Sequence, residues 1–191
     1  ILASAVNVFG KQGFDRTAVE DVIGPAGVSR RTFYDLFSDK DEAFCEAHKC
    51  ALELLDEQVK RACRSERQWP LEIAVGIATA LEWADSNPTL ASLLVGGLSM
   101  AGPRAAHCHD LLVARFAPRL RLGRNFGGVL LPPSQEEMSI AGISGVVALH
   151  VDSQDGDSLV ALAPQLVELV LGPYIGVKEA RRVATQKRAN A

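Results

Sequence analysis

The chain has 191 residues, 48% of them hydrophobic, with 20 Lys and Arg against 23 Asp and Glu and a formal charge of −3. That length can bury the core of one or two domains, and the charge excludes a protein drawn to nucleic acid by its overall field, so any such binding must rest on a local patch. Only 6% of residues are aromatic and strand-like alternation is scarce, which excludes a β-sandwich and makes the expected class all-α.

Leu2, Ala5, Val6 and Phe9 form an apolar stripe at helical spacing, ended by Gly13 as a C′ residue with Phe14 behind it. Thr17 and Glu20 have the spacing of a capping box for a short second helix, whose inner face is Val19, Val22, Ile23 and Ala26. Gly27 then supplies the positive φ that a sharp turn between helices needs, and Ser29 suits the N-cap of a third helix. On that helix Phe33, Leu36 and Phe37 share an apolar face, while Arg31, Tyr34 and Asp35 share the opposite one. Arg30 and Arg31 stand in its first turn, where cations oppose the helix dipole, so a phosphate or a guanine edge accounts for them better than helix stability does. Ser38 with Asp41 reads as the next capping box. Three short helices, the second and third joined by a glycine turn, make a helix-turn-helix.

A long helix is expected from Asp39 to about Arg67, with Leu52, Leu55 and Val59 inward. Pro70 suits the first position of the next, which runs to about Asp85 and is apolar over much of its circumference. Asn87-Pro88 opens a short apolar helix to about Leu98, and Gly102-Pro103 opens another that Pro118 is expected to interrupt. Residues 123–133 show no period and read as a loop. Ser134 and Glu137 then begin a helix whose small residues, among them Ala141, Gly145 and Ala148, let a second helix come close. Leu159, Leu162, Leu166 and Leu169 step by helical intervals, with further apolar residues on the other faces, and Pro164 marks a kink or a start. A helix apolar all round needs two partners, and the second is most simply the same helix pair of another copy.

The series Phe9 to Phe14 (FGKQGF), Thr17 to Ile23 (TAVEDVI), Ala26 to Phe37 (AGVSRRTFYDLF) and Ser38 to Asp41 (SDKD) resembles the N-terminal DNA-binding domain of the TetR family of bacterial transcriptional regulators. A more diffuse likeness at Leu166 to Gly176 (LVELVLGPYIG) is similar to the last helix of many members. Gly10 within the first helix and Gly24-Pro25 at the end of the second depart from the pattern.

The resemblance implies a three-helix DNA-binding head at residues 1–44, a helical effector-binding and dimerisation domain at 45–177, and a basic tail at 178–191. Arg31, with Arg30 or Thr32 beside it, would reach base edges from the major groove, Ser29 belongs to the same turn, and Thr17, Tyr34 and Lys40 match positions that clamp phosphates. It further implies a homodimer on a palindromic double-stranded operator, with the interface at Ala141, Gly145, Ala148, Leu159, Leu162, Leu166 and Leu169. A small hydrophobic or amphipathic effector would release DNA, and Trp83, Met100, His107, Phe116 and His150 are candidate lining residues for its pocket.

Rival readings rest on other features. Residues 1–47 hold five Lys and Arg against eight Asp and Glu, which suits a helical protein-interaction adaptor with a non-functional head. Cys45 with His48, or His107, Cys108 and His109, could serve a metal- or redox-responsive regulator, although their spacing specifies no metal site. No catalytic or cofactor motif is present, so neither an enzyme nor a cofactor is expected. Four cysteines without a CxxC pair read as reduced thiols, and no leader or membrane-length apolar run is visible, so the cytoplasm is the expected location and a membrane is not a partner. The chain starts at Ile1 in mid-pattern, so a preceding N-terminal arm is expected.

Overall fold

The computed structural model describes residues 1–96, 103–126, 128, 130–153 and 158–186, and the regular structure within them is all helical. The helices are α1 (Leu2–Gln12), α2 (Val19–Ala26), α3 (Arg30–Leu36), α4 (Lys40–Cys63), α5 (Trp69–Ser86), α6 (Pro88–Gly96), α7 (Pro103–Arg121), α8 (Gln135–Ser153), α9 (Ala163–Ile175) and α10 (Val177–Gln186). Single 3-10 turns occupy Leu122–Asn125 and Leu159–Leu162. The chain divides into two compact units, Ile1–Leu54 with Asn87–Leu111, and Leu55–Ser86 with Leu112–Ala191. Among the described residues no helix is long and apolar enough to cross a membrane.

The first unit is built around an aromatic cluster. Phe44 of α4 sets its edge against Phe9 of α1 at 5.3 Å and against Phe14 at 5.4 Å between ring centroids, and all three are buried. Gly10 belongs here for steric reasons: a Cβ at that position would collide with the backbone and methyl group of Thr89 on α6. Close packing of α1 on α6 draws Asn87–Leu111 into the same unit as the head, so the unit extends beyond the boundary at residue 44 expected from the sequence.

Two caps fall one residue later than their sequence spacing suggested. Helix α2 is preceded by Ala18, whose N–H donates to Asp21 Oδ2 at 2.8 Å, while the Thr17 hydroxyl donates back to the Gly13 carbonyl at 2.7 Å. At α4 the Glu42 N–H donates to Asp39 Oδ1 at 2.8 Å and the Ser38 N–H donates to Glu42 Oε2 at 2.6 Å, a reciprocal box built on Asp39 and Glu42. Helix α2 also holds Pro25 in its last turn, where the missing N–H costs one helical bond and the helix ends one residue later. Leu36, expected inside with Phe33 and Phe37, is 60% exposed while those two are buried.

The second unit centres on Trp69. Its indole N–H donates to the Arg119 carbonyl at 2.8 Å, and its ring lies 5.3 Å from both Tyr174 and Phe126. Gly123 sits against this cluster because any Cβ would overlap the Trp69 ring. The segment expected to be a loop from residue 123 is thereby anchored: Arg124 pairs with buried Glu136 through two bonds of 2.7 and 2.8 Å, and the Tyr174 hydroxyl donates to the same carboxylate at 3.1 Å. Helix α7 continues through Pro118, held by buried Ala117 and Leu120, where the sequence suggested a break. Asp85 at the end of α5 accepts from the Ser158 hydroxyl and, at 3.1 Å, from the Leu159 N–H, closing the second 3-10 turn.

His48 is fully buried in the first unit, with Nε2 3.2 Å from the Leu94 carbonyl. Burial pushes its pKa down from 6.5 to about 4, against the opposing pull of the Leu94 carbonyl. The unfolded chain binds a proton on this ring below pH 6.5 that the folded chain refuses until about pH 4, so the stabilising contribution is complete above pH 6.5 and is lost as pH falls. Between pH 7.5 and 4.5 the loss from this group should be about 2 to 3 kcal/mol. Urea denaturation at the two pH values, compared with His48→Phe, should show a shallower pH dependence in the variant by that amount.

Candidate nucleic-acid interface

The turn between α2 and α3 is set by Gly27, which takes φ 65 and ψ 31, a left-handed conformation that a Cβ would strain. Its N–H donates to the carbonyls of Ile23 and Gly24. Ser29 caps α3: its hydroxyl accepts from the Thr32 N–H at 3.1 Å and meets the Thr32 hydroxyl at 2.9 Å. The buried Phe33 ring fixes the back of this short helix, stacked obliquely on Phe37 at 5.3 Å.

With the back of the helix fixed, its exposed side chains are presented in defined positions. Arg30 is tied to Glu20 of α2 and lies 5.7 Å over the Tyr34 ring, so it braces the two helices across the turn. Arg31 is exposed and has no hydrogen bond or ion pair among the described residues. Tyr34 is 45% exposed beside it. Thr17 is buried, with its hydroxyl engaged by the Gly13 carbonyl. Lys40, in the first turn of α4, donates from Nζ to the carbonyls of Phe14 at 3.1 Å and Thr17 at 2.9 Å and sits 4.0 Å over the Phe14 ring. Two of the three residues read as phosphate clamps, Thr17 and Lys40, thus secure the corner between α1 and α2, and Lys40 retains one N–H of its ammonium for an external acceptor.

In the second unit Trp83 is buried, Phe116 is half-buried, and His150 lies 4.0 Å from Asp85. His107 is exposed and belongs to the first unit, and Met100 lies outside the described residues. A described groove of about 380 Å³, lined by Ala74, Ala78, Glu82, Val160 and Val167 among others, includes none of these candidates. Of the residues read as a dimer interface, Ala141, Gly145 and Leu169 are exposed and Ala148 and Leu162 half-buried, whereas Leu159 and Leu166 turn into the core of their own unit. Met138 and Leu149, 53% and 74% exposed, extend the outer face of α8 at helical spacing with Ala141 and Gly145.

Residues 1–47 match the family described as "Bacterial regulatory proteins, tetR family". The match covers the head, about a quarter of the chain. The head is similar to the "Uncharacterized HTH-type transcriptional regulator YezE" of Bacillus subtilis (strain 168), 34% identical over 53 residues, which are 28% of this chain and 27% of that protein. The matched region therefore spans about a quarter of that relative. The fold as a whole resembles two solved structures. The fatty acid degradation regulator FadR from Bacillus halodurans has a TM-score of 0.72 at 17% identity, over 90% of this chain and 96% of that one. The transcriptional regulator FadR from Bacillus subtilis in complex with stearoyl-CoA has a TM-score of 0.71 at 19% identity, over the same shares.

In this family setting, Ser29, Arg30, Arg31, Thr32 and Tyr34 lie on one short helix and its cap, while the five pocket candidates are not gathered around the described groove. Cys45 is half-buried, and burial pushes its thiol pKa up, while Cys108 is fully buried. Among the described residues no group of three or more His, Cys, Asp or Glu is placed to hold a metal. Sequence reading missed Asp56, a buried carboxylate that accepts from Arg115 at 2.9 Å and Arg119 at 3.1 Å. The available signal was its place beside Leu52, Leu55 and Val59 on the inward side of α4.

Arg31→Ala should leave the unfolding free energy within about 0.5 kcal/mol and weaken binding to a preferred duplex by about 1 to 3 kcal/mol. Lys40→Met should lower stability by about 1 to 3 kcal/mol because two carbonyls lose a charged donor. Urea denaturation and fluorescence anisotropy on labelled DNA read the two quantities separately. Full stability in Lys40→Met with loss of DNA binding alone would make Lys40 a phosphate contact and not a clamp.

Proposed function

We propose that the chain is a homodimeric, ligand-responsive DNA-binding transcriptional regulator, acting as a repressor on a palindromic operator. The observation that carries this reading is Arg31, an exposed cation with no partner among the described residues, on a helix whose cap, turn and buried back are all fixed. A guanidinium so placed can donate two parallel bonds to guanine O6 and N7 in the major groove, and Tyr34 beside it can position the backbone. Arg30 is paired with Glu20 through Nη1 and keeps its other guanidinium donors for a phosphate.

Dimerisation is supported by the exposed apolar face of α8 and α9, where Met138, Leu149 and Leu169 stand beside the small residues Ala141 and Gly145. Small residues let two such faces approach closely, and a twofold axis would set two heads on a symmetric site. The effector is hydrophobic or amphipathic, consistent with the stearoyl-CoA in the Bacillus subtilis FadR structure of similar fold. It needs only to prefer the non-binding state by a few kcal/mol to release DNA. A DNA partner places the protein in the cytoplasm.

Selection of random duplex DNA on the full chain at 50 and 200 mM salt tests the reading. Recovery of a palindrome, with affinity falling steeply as salt rises, is expected. Recovery of no preferred sequence, or binding indifferent to salt, would leave a protein-interaction adaptor as the function.

A further inference from the structure

Asp56 is 1% exposed, yet three cations converge on it. Its Oδ2 accepts from Lys60 at 2.6 Å and Arg115 at 2.9 Å, and its Oδ1 accepts from Arg119 at 3.1 Å. One carboxylate thus answers three positive side chains, and among the described residues no second carboxylate pairs with them. Arg119 Nη1 is buried and has no acceptor among the described residues. A buried donor left unpaired costs about 1 to 3 kcal/mol, so the arrangement is one acceptor group short.

The same unit contains a structural ion pair for comparison. Arg124 directs its donors to Glu136 and to the carbonyls of Leu131 and Pro132, and the only other group on Glu136 is the neutral Tyr174 hydroxyl. There the charges match one to one. Around Asp56 they do not, and the cations grade from 60% exposed at Lys60 through 37% at Arg115 to 21% at Arg119. The Arg119 guanidinium also lies 5.8 Å from the Phe116 ring, so apolar surface adjoins the charge.

We infer that Lys60, Arg115 and Arg119 form an anion subsite that takes the carboxylate or phosphate head of an amphipathic small molecule. The oxyanion accepts from the exposed donors of Arg115 and Lys60 and is drawn by the charge of Arg119 behind them, while its apolar part lies toward Phe116. The site places Asp56 as a resident counter-charge that keeps the cations gathered when no ligand is bound. That this molecule is the effector rests on the regulatory reading above. The subsite itself does not, and it is testable without DNA.

Isothermal titration of the full chain with dodecanoate, dodecyl phosphate and dodecanol distinguishes the head groups. At least one anionic compound is expected to bind saturably about tenfold or more tighter than dodecanol, and the tighter of the two names the head group. Arg115→Gln, which leaves Asp56 with two cations, should fold with a melting temperature close to the parent and lose about tenfold in that affinity. Asp56→Asn should gain affinity for the same anion, because the competing carboxylate is gone; a purely structural cluster gives no such gain. Equal binding of dodecanol and both anions, or anion affinity unchanged in Arg115→Gln, would overturn the proposal. Because no DNA enters the titration, failure to find an operator leaves its outcome unaffected.

Discussion

The Lys40 ammonium holds the corner on which the head depends. The carbonyls of Phe14 and Thr17 lie where the chain leaves α1 and has not yet begun α2, so no helical ladder serves them. Lys40 supplies both with a donor and lays its charge over the Phe14 ring. Phe14 and Phe9 both pack on Phe44, which follows Lys40 by one turn on α4, so the Lys40 side chain and this aromatic cluster fasten the corner to the fourth helix. The α3 helix then needs only its own cap and the buried Phe33 to be placed. Its seven residues are too few to be stable alone, so its order comes from this packing.

That economy bears on how an acidic head could bind a polyanion. Residues 1–47 carry more acid than base, but the acids serve the fold: Asp21, Asp39 and Glu42 cap helices, and Glu20 pairs with Arg30. Each satisfies backbone donors or fixes a helix angle. Arg31 is left without such a duty, and a cation free of local partners does not have to break an internal ion pair to meet a base. Net charge is therefore a poor guide to this surface, and the distribution of partners is a better one.

The head was legible in the sequence because its determinants are local. Gly27, Ser29, Phe33 and Phe37 each act within one or two turns, and the glycine turn and N-cap appear where the pattern placed them. Finer assignments depended on side-chain reach. Asp21 takes the carboxylate role assigned to Glu20 and Asp39 the N-cap role assigned to Ser38, because these carboxylates reach the backbone donors while the Thr17 hydroxyl bonds backwards to Gly13. Gly10 had no meaning until α6, distant in sequence, was found against it. Asp56 likewise acquires its partners from α7, and Leu159 and Leu166 lie inward on helical segments whose apolar residues cover every face. Where hydrophobicity has no direction around a helix, sequence cannot tell core from interface.

The central claim is that α3 enters the major groove with Arg31 on a guanine edge. Dimethyl sulfate footprinting on the selected duplex tests it directly, because the reagent methylates guanine N7 in the major groove and adenine N3 in the minor groove. The account predicts protection of one guanine N7 in each half-site by the unsubstituted protein, lost with Arg31→Ala while flanking protections remain. Guanine protection unchanged in Arg31→Ala, or protection confined to adenine N3, would contradict it.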